Sequence, residues 1–162
     1  MWSPDRRMAL LGLLALGGCG LSPVYGTNGA AAGGLMGRVR PRDPETPLEF
    51  TFNRRLAERV GSDSAADLDL DYRIAVGVVA QAITTDEVIT RSSLNGTADF
   101  ALSDRNGAEL TRGRVSSFTS YSTTGTTIAT LAAEADARER LAVMLADQVV
   151  TRLLAVSRTL PG

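Results

Sequence analysis

The feature that most limits what this chain can become is a strict alternation that begins at residue 67. Leu68, Leu70, Tyr72, Ile74, Val76 and Val78 hold the even positions, while Asp67, Asp69, Asp71 and Arg73 hold odd ones. A period of two places the apolar set on one face of a strand and the charged set on the other. Such a strand needs partners beside it and a covering layer on one side only. Two later runs supply partners. One, from about 87 to 102, alternates through Leu94, Ala98, Phe100 and Leu102, and the other, from 109 to 120, carries Leu110, Val115 and Phe118. Between them stands Asp104-Arg105-Asn106-Gly107, a turn signal, because Asn-Gly accepts the positive φ of a tight hairpin. Leu110 and Val115 have opposite parity, which a β-bulge would reconcile.

The covering layer is also written in the chain. Thr46-Pro47-Leu48-Glu49 is a helix start: threonine caps, proline fits the first turn, and glutamate completes a capping box. Leu48, Phe52, Leu56 and Val60 then recur every four residues, and Gly61 is a natural stop, which predicts a helix over 47–60. From about 127 to 157 the period is helical again, with Ile128, Leu131, Ala132, Ala135, Ala142, Leu145, Val149, Leu153 and Val156 on one stripe. Glu134 with Arg138, and Asp136 with Arg140, are spaced as helical ion pairs. A helix of that span is about 45 Å long, whereas a globule of this size is about 35 Å across. It must overhang, bend or begin later. A short alternating segment at 35–42, closed by Pro41 and Pro44, suits an edge strand. The element order β-α-β-β-β-α therefore predicts an α+β fold. Two helices pack on one face of a roughly four-stranded mixed sheet, in a two-layer sandwich over residues 35–158.

The chain before this domain has a different character. Arg6 and Arg7 precede an apolar run, Met8 to Leu16, of the length of a signal-peptide core. The run falls well short of the roughly 20 residues that span a bilayer as a helix. It ends in Leu16-Gly17-Gly18-Cys19, which resembles the lipobox of bacterial lipoproteins. Residues 1–18 would then be removed, and the Cys19 sulfur would carry diacylglycerol with an N-acyl chain on the new terminus. The plainer alternative is a secretory signal that happens to contain a cysteine. Gly20 stands where an aspartate would resemble an inner-membrane retention signal, which points to the outer membrane by resemblance. Residues 19–34, rich in glycine and alanine, read as a lipidated tether spanning about 20–25 Å if flexible.

Composition narrows the chemistry. The chain has no histidine, its one cysteine is Cys19, and its seventeen cations are all arginine against eighteen acids. The usual catalytic triads and most transition-metal sites are thereby excluded, and a net charge of −1 gives no basic field for nucleic acid. An enzyme is not expected, and no cofactor beyond the covalent lipid. Asp67, Asp69 and Asp71 share a strand face at spacings of about 6.5–7 Å, so a calcium site is conceivable, and a solvated sheet face is the plainer reading. Arginines pair along the strands: Arg38 with Arg40, Arg112 with Arg114, and Arg73 and Arg91 flanking the meander. Paired guanidinium groups suit phosphates through bidentate hydrogen bonds. They suit surface carboxylates equally well.

Two stretches carry a family resemblance. Leu16-Gly17-Gly18-Cys19-Gly20 followed by Ser22-Pro23-Val24-Tyr25-Gly26 resembles the start of the lipopolysaccharide-assembly lipoproteins, the LptE family, in their alphaproteobacterial branch. Ser120-Tyr121, Ala129, Ala132 to Arg140, Leu145-Ala146 and Arg152-Leu153 resemble that family's last strand and terminal helix. Ser122-Thr123-Thr124 departs from the aromatic or asparagine that often follows the tyrosine. The resemblance implies a lipid-anchored outer-membrane protein facing the periplasm. It would plug and support a large β-barrel partner, LptD, in lipopolysaccharide transport to the outer leaflet, without covalent catalysis. It implies lipid attachment at Cys19 and fixes no lipopolysaccharide-binding residue; Arg38, Arg40, Arg73, Arg91, Arg112 and Arg114 are the candidates for phosphate contacts. A rival reading with similar parts is an auxiliary lipoprotein subunit of an ABC-type lipid transporter. A second is a periplasmic enzyme or calcium module built on the aspartates.

Overall fold

The computed structural model describes residues 34–61, 66–83 and 89–157. Strand β1 (Val39–Pro41) leads to helix α1 (Pro47–Val60). Strands β2 (Leu68–Ile83), β3 (Ile89–Asp104) and β4 (Glu109–Ser122) follow, and helix α2 (Thr127–Val156) ends the fold. The sheet order is β1-β2-β3-β4, parallel between the first two and antiparallel thereafter. The predicted class and element order are those observed. The lipobox and the segment to Gly33 lie outside the described residues.

Helix α1 begins as its sequence specifies. The Thr46 hydroxyl accepts from the Glu49 amide at 3.2 Å, and the Glu49 carboxylate accepts from the amides of Glu45 and Thr46 at 2.7 and 3.2 Å. It ends at Gly61, whose φ of 84° few other residues tolerate. The first strand is shorter than the alternation at 35–42 suggests. Gly37 sits at φ 67°, and the Arg38 amide donates to the Leu35 carbonyl, so 34–38 is a turn and pairing starts at Val39. The expected bulge is present where Leu102 pairs with Thr111 and Ser103 with Glu109, a shift that absorbs Leu110. The turn before it is organised less by Asn106 than by Asp104, whose carboxylate accepts from the amides of Asn106 and Ala108 at 2.9 and 2.8 Å. Those backbone donors, that of Ala108 first, hold the Asp104 carboxyl below its ordinary range.

Both helices lie on the even face of β2. Leu68, Leu70 and Tyr72 share one core with Phe52 and Leu56 of α1, Leu94, Phe100 and Leu102 of β3, and Leu141, Leu145, Val149 and Leu153 of α2. Two glycines let side chains sit close. Gly113 pairs with Phe100, and a Cβ there would meet the ring at 2.8 Å; one on Gly96 would meet Leu141 at 2.9 Å. The long helix resolves its excess length by overhanging. Its buried residues run from Ala137 to Leu153, whereas Ile128 and Leu131 are 80% and 61% exposed.

Candidate functional site

The sheet face turned away from the helices carries the charged residues that the alternation placed there. Arg38 clamps Asp67 with two hydrogen bonds, of 2.7 and 2.6 Å, and Arg40 engages Asp69 at 2.7 Å. Arg112 forks onto Glu109 at 2.6 and 2.8 Å. On β2, β3 and β4, Arg73, Asp99 and Arg114 stand in register as one row, and Arg114 holds Asp99 through two hydrogen bonds. Hydrogen bonding from Arg114, with Arg73 adding a weaker attraction, keeps the Asp99 carboxyl below its ordinary range; Arg38 does the same to Asp67. These pairs are exposed or half-exposed, so each is worth little to stability.

The structure thus places four of the six arginine candidates, Arg38, Arg40, Arg112 and Arg114, with their guanidinium groups already on carboxylates. Arg73 and Arg91 form no ion pair among the described residues. The three aspartates do not converge: Asp67 and Asp69 each face an arginine, and among the described residues no group of three acidic or cysteine side chains could hold a metal.

The helix side presents something the sequence reading did not pick out. Past Tyr72 the apolar face of β2 continues through Ile74, Val76 and Val78, but α1 reaches it only with its first residues, Pro47 and Leu48. A half-open groove of about 430 Å³ results, floored by Ile74 and Val76 and walled by Pro47, Leu48 and Ala135. Glu49, Arg138 and Glu139 rim it; Arg138 is bound to Glu134 at 2.6 Å. Beyond the groove Val78 is 53% exposed. The signal was available: residues 67–73 alternate charge with apolar side chains, whereas 74–80 carry no charge on either face. At the groove's edge the Arg42 guanidinium stacks 4.7 Å from the centre of the Tyr72 ring, donates to the Tyr72 carbonyl, and binds Glu49.

Among the described residues the arrangement pairs no nucleophile with a histidine or lysine base, since the chain has neither. It offers an apolar trough on one face, arginines on the other, and a far end of β2 that α1 does not cover. No helix among the described residues is long and apolar enough to cross a membrane.

Comparison with known proteins gives these features a family. Among solved structures, a candidate lipoprotein of Caulobacter crescentus CB15 superposes with a TM-score of 0.64 at 23% identity, covering 82% of this chain and 98% of that one. The rare lipoprotein B of Shewanella oneidensis gives 0.60 at 12% identity, covering 75% and 96%. A minor lipoprotein of Acinetobacter baumannii gives 0.52 at 18%, covering 73% and 89%. At these identities the likeness is one of fold. No curated protein sequence matches the chain. The family described as LptE, lipopolysaccharide-assembly, matches residues 38–153, from the turn before β1 nearly to the end of α2. The chain belongs to the LptE lipopolysaccharide-assembly family.

Proposed function

We propose that this protein is a lipoprotein held by lipid on Cys19 to the periplasmic side of the outer membrane. There it plugs and supports an LptD-like β-barrel that delivers lipopolysaccharide to the outer leaflet. The observation that carries this reading is the family match, which spans both helices and all four strands rather than one motif. The fold agrees with it. A plug needs a rigid body with a largely polar exterior, which the charged sheet face supplies. It also needs more than one acyl chain for stable attachment, which a fully lipidated Cys19 would supply. No covalent step is assigned to the chain; its work is support of the barrel and handling of substrate.

Arg38, Arg40, Arg73, Arg91, Arg112 and Arg114 remain the candidates for phosphate contacts. Arg73 and Arg91 come first, because among the described residues neither is held by a carboxylate that binding would displace.

Affinity purification of the tagged full-length chain from detergent-solubilised outer membranes tests this reading. A large β-barrel at about equal amount is expected, together with loss of membrane attachment in Cys19→Ala. An inner-membrane ATPase with its permease in place of the barrel would overturn the plug assignment in favour of the transporter-subunit reading.

A further inference from the structure

The sheet has two edges, and they are treated differently. Along the β4 edge, Arg112 and Arg114 bring charge, and Arg140 of α2 reaches across to the Ser120 carbonyl at 3.4 Å. Such devices keep an edge from pairing with foreign strands. The β2 edge is protected for only a short stretch. β1 pairs with it at Leu68, Asp69 and Leu70, the Arg42 amide then donates to the Leu70 carbonyl, and the Arg42 side chain takes the Tyr72 carbonyl. Beyond that point β2 continues to Ile83 with β3 on its inner side and no strand on its outer side among the described residues.

The contacts at the start of β2 tell which backbone groups face outward. The Leu68 amide and the carbonyls of Leu70 and Tyr72 all point to the β1 side. Backbone groups of alternate residues point the same way along a strand, so Ile74, Val76, Val78 and Ala80 present their N–H and C=O groups to the open edge. Residues 74–80 contain no charge and no proline, and the register shifts of β2 against β3 come only after Ala80, so among the described residues no charge, proline or bulge blunts this stretch of edge. Both faces of this stretch are apolar: Ile74, Val76 and Val78 on the groove side, Ala75 and Val79 on the other, with Val79 49% exposed. A lipid tail could cover the side chains but could not satisfy the row of backbone donors and acceptors. An extended polypeptide satisfies both.

We infer that β2 from Ile74 to Ala80 is a docking edge for an extended, alternately apolar segment of the barrel partner that lies outside its closed wall, whose own strands have no free edge. The segment adds to the sheet in line with β1 and lays every second side chain toward the Leu48–Ala135 groove. Strand addition of this kind takes its affinity from main-chain hydrogen bonds and its selectivity from the pockets for alternate side chains. The inference rests on the functional reading above, since the barrel partner supplies the segment.

Two substitutions at one exposed position test it. Val78→Pro removes an outward N–H and leaves the bonds to β3 in place, as proline on a free edge allows. Val78→Lys adds a charge to the same edge. Ser116→Lys, on the far face of β4, is the control. In tagged full-length protein purified from solubilised membranes, both Val78 variants are expected to retain the barrel at least about tenfold less than the unaltered chain or the control. Circular dichroism and denaturation midpoints should stay unchanged. In the complex, the amides of Ile74, Val76, Val78 and Ala80 should exchange with deuterium at least about tenfold more slowly than in the isolated protein. Full retention of the barrel by both Val78 variants, or unchanged exchange at these amides, overturns the inference while leaving the barrel assignment intact. Protection that already appears in the isolated protein and rises with its concentration overturns it in favour of pairing between two copies. If no barrel accompanies even the unaltered chain, the functional reading falls and this inference with it.

Discussion

At one end of the sheet Leu68, Leu70 and Tyr72 are sealed against Phe52, Leu56 and the second half of α2; at the other, Ile74, Val76 and Val78 continue the same face of the same strand half-covered or exposed. The amino acids differ little between the two. What differs is the reach of the covering layer. α1 starts at Pro47, beside Ile74, and runs away from the open end. α2 does extend over that end, but Ile128 and Leu131 there meet little. Along β2, burial of apolar area is therefore concentrated in the first half of the strand, while β3 and β4 stay covered farther along, at Leu94 and Tyr121. The closed half fixes the fold, and the open half keeps apolar surface and backbone groups that a self-contained domain would cover.

The sharpest way to break this comparison is to remove the largest fully buried side chain of the closed half. Phe52 is fully buried and its ring lies 4.7 Å from that of Tyr72. Phe52→Ala should cost about 3–5 kcal/mol by chemical denaturation, as a large core truncation leaves a cavity that neighbours fill only in part. Gly113→Ala tests the same half by overfilling. Its new methyl would sit 2.8 Å from the Phe100 ring, which is held in the core and has little room to withdraw. A loss of about 1–3 kcal/mol is expected. A neutral result would mean that the Phe100 ring tilts freely and that the closed half is looser than its burial indicates.

Most of the closed half was legible in the sequence, because its signals are local. Thr46, Pro47, Glu49 and Gly61 bound α1 without reference to anything distant, and the parity clash between Leu110 and Val115 announced the bulge. The first strand was overextended at 35–38, because alternation alone cannot register a glycine at φ 67° turning the chain between Leu35 and Val39. The open half was not legible for a different reason. The stripe Ile128, Leu131, Ala135, Ala142, Leu145 reads as one continuous apolar face, yet only its later part is covered. Whether a stripe is covered depends on the length and position of other elements. The candidate arginines show the same limit. Period two placed Arg38, Arg40, Arg112 and Arg114 on a wetted face, and only three-dimensional register revealed that Asp67, Asp69, Glu109 and Asp99 already occupy them.

A smaller effect should appear at the seam between the halves. Among the described residues the buried Tyr72 hydroxyl makes no hydrogen bond of ordinary geometry, although the Asn53 side chain lies close enough to favour the phenolate slightly, and burial, with help from Glu49, pushes its pKa up to about 12 from an ordinary 10.0. The folded state thus favours the neutral phenol. Its contribution to stability is complete below pH 10 and is lost as pH rises from there toward 12. Tyr72→Phe should raise stability at pH 7 by about 1 kcal/mol, since an unsatisfied buried hydroxyl is removed, and should flatten the loss of stability above pH 10. Thermal or urea unfolding followed from pH 7 to 11.5 reads both. Destabilisation at pH 7 would show that the hydroxyl does useful work with Asn53, whose Oδ1 is likewise buried and unpartnered.

The smallest predicted change is the one that tests the comparison from its other side. If the overhang of α2 contributes nothing to holding the fold, Ile128→Ser with Leu131→Ser should shift stability by no more than about 0.5 kcal/mol, the range of substitutions at exposed sites. It should also lower nonspecific association of the isolated protein by removing two exposed apolar side chains. Each serine slightly lowers helix propensity, so any small loss should be confined to fraying of the first turns and should vanish from the global denaturation midpoint. A cost of 2 kcal/mol or more, on the scale of core truncations, would mean that the overhang packs against the β2–β3 end in solution. The open half would then be closed by its own chain, leaving no room for an incoming strand.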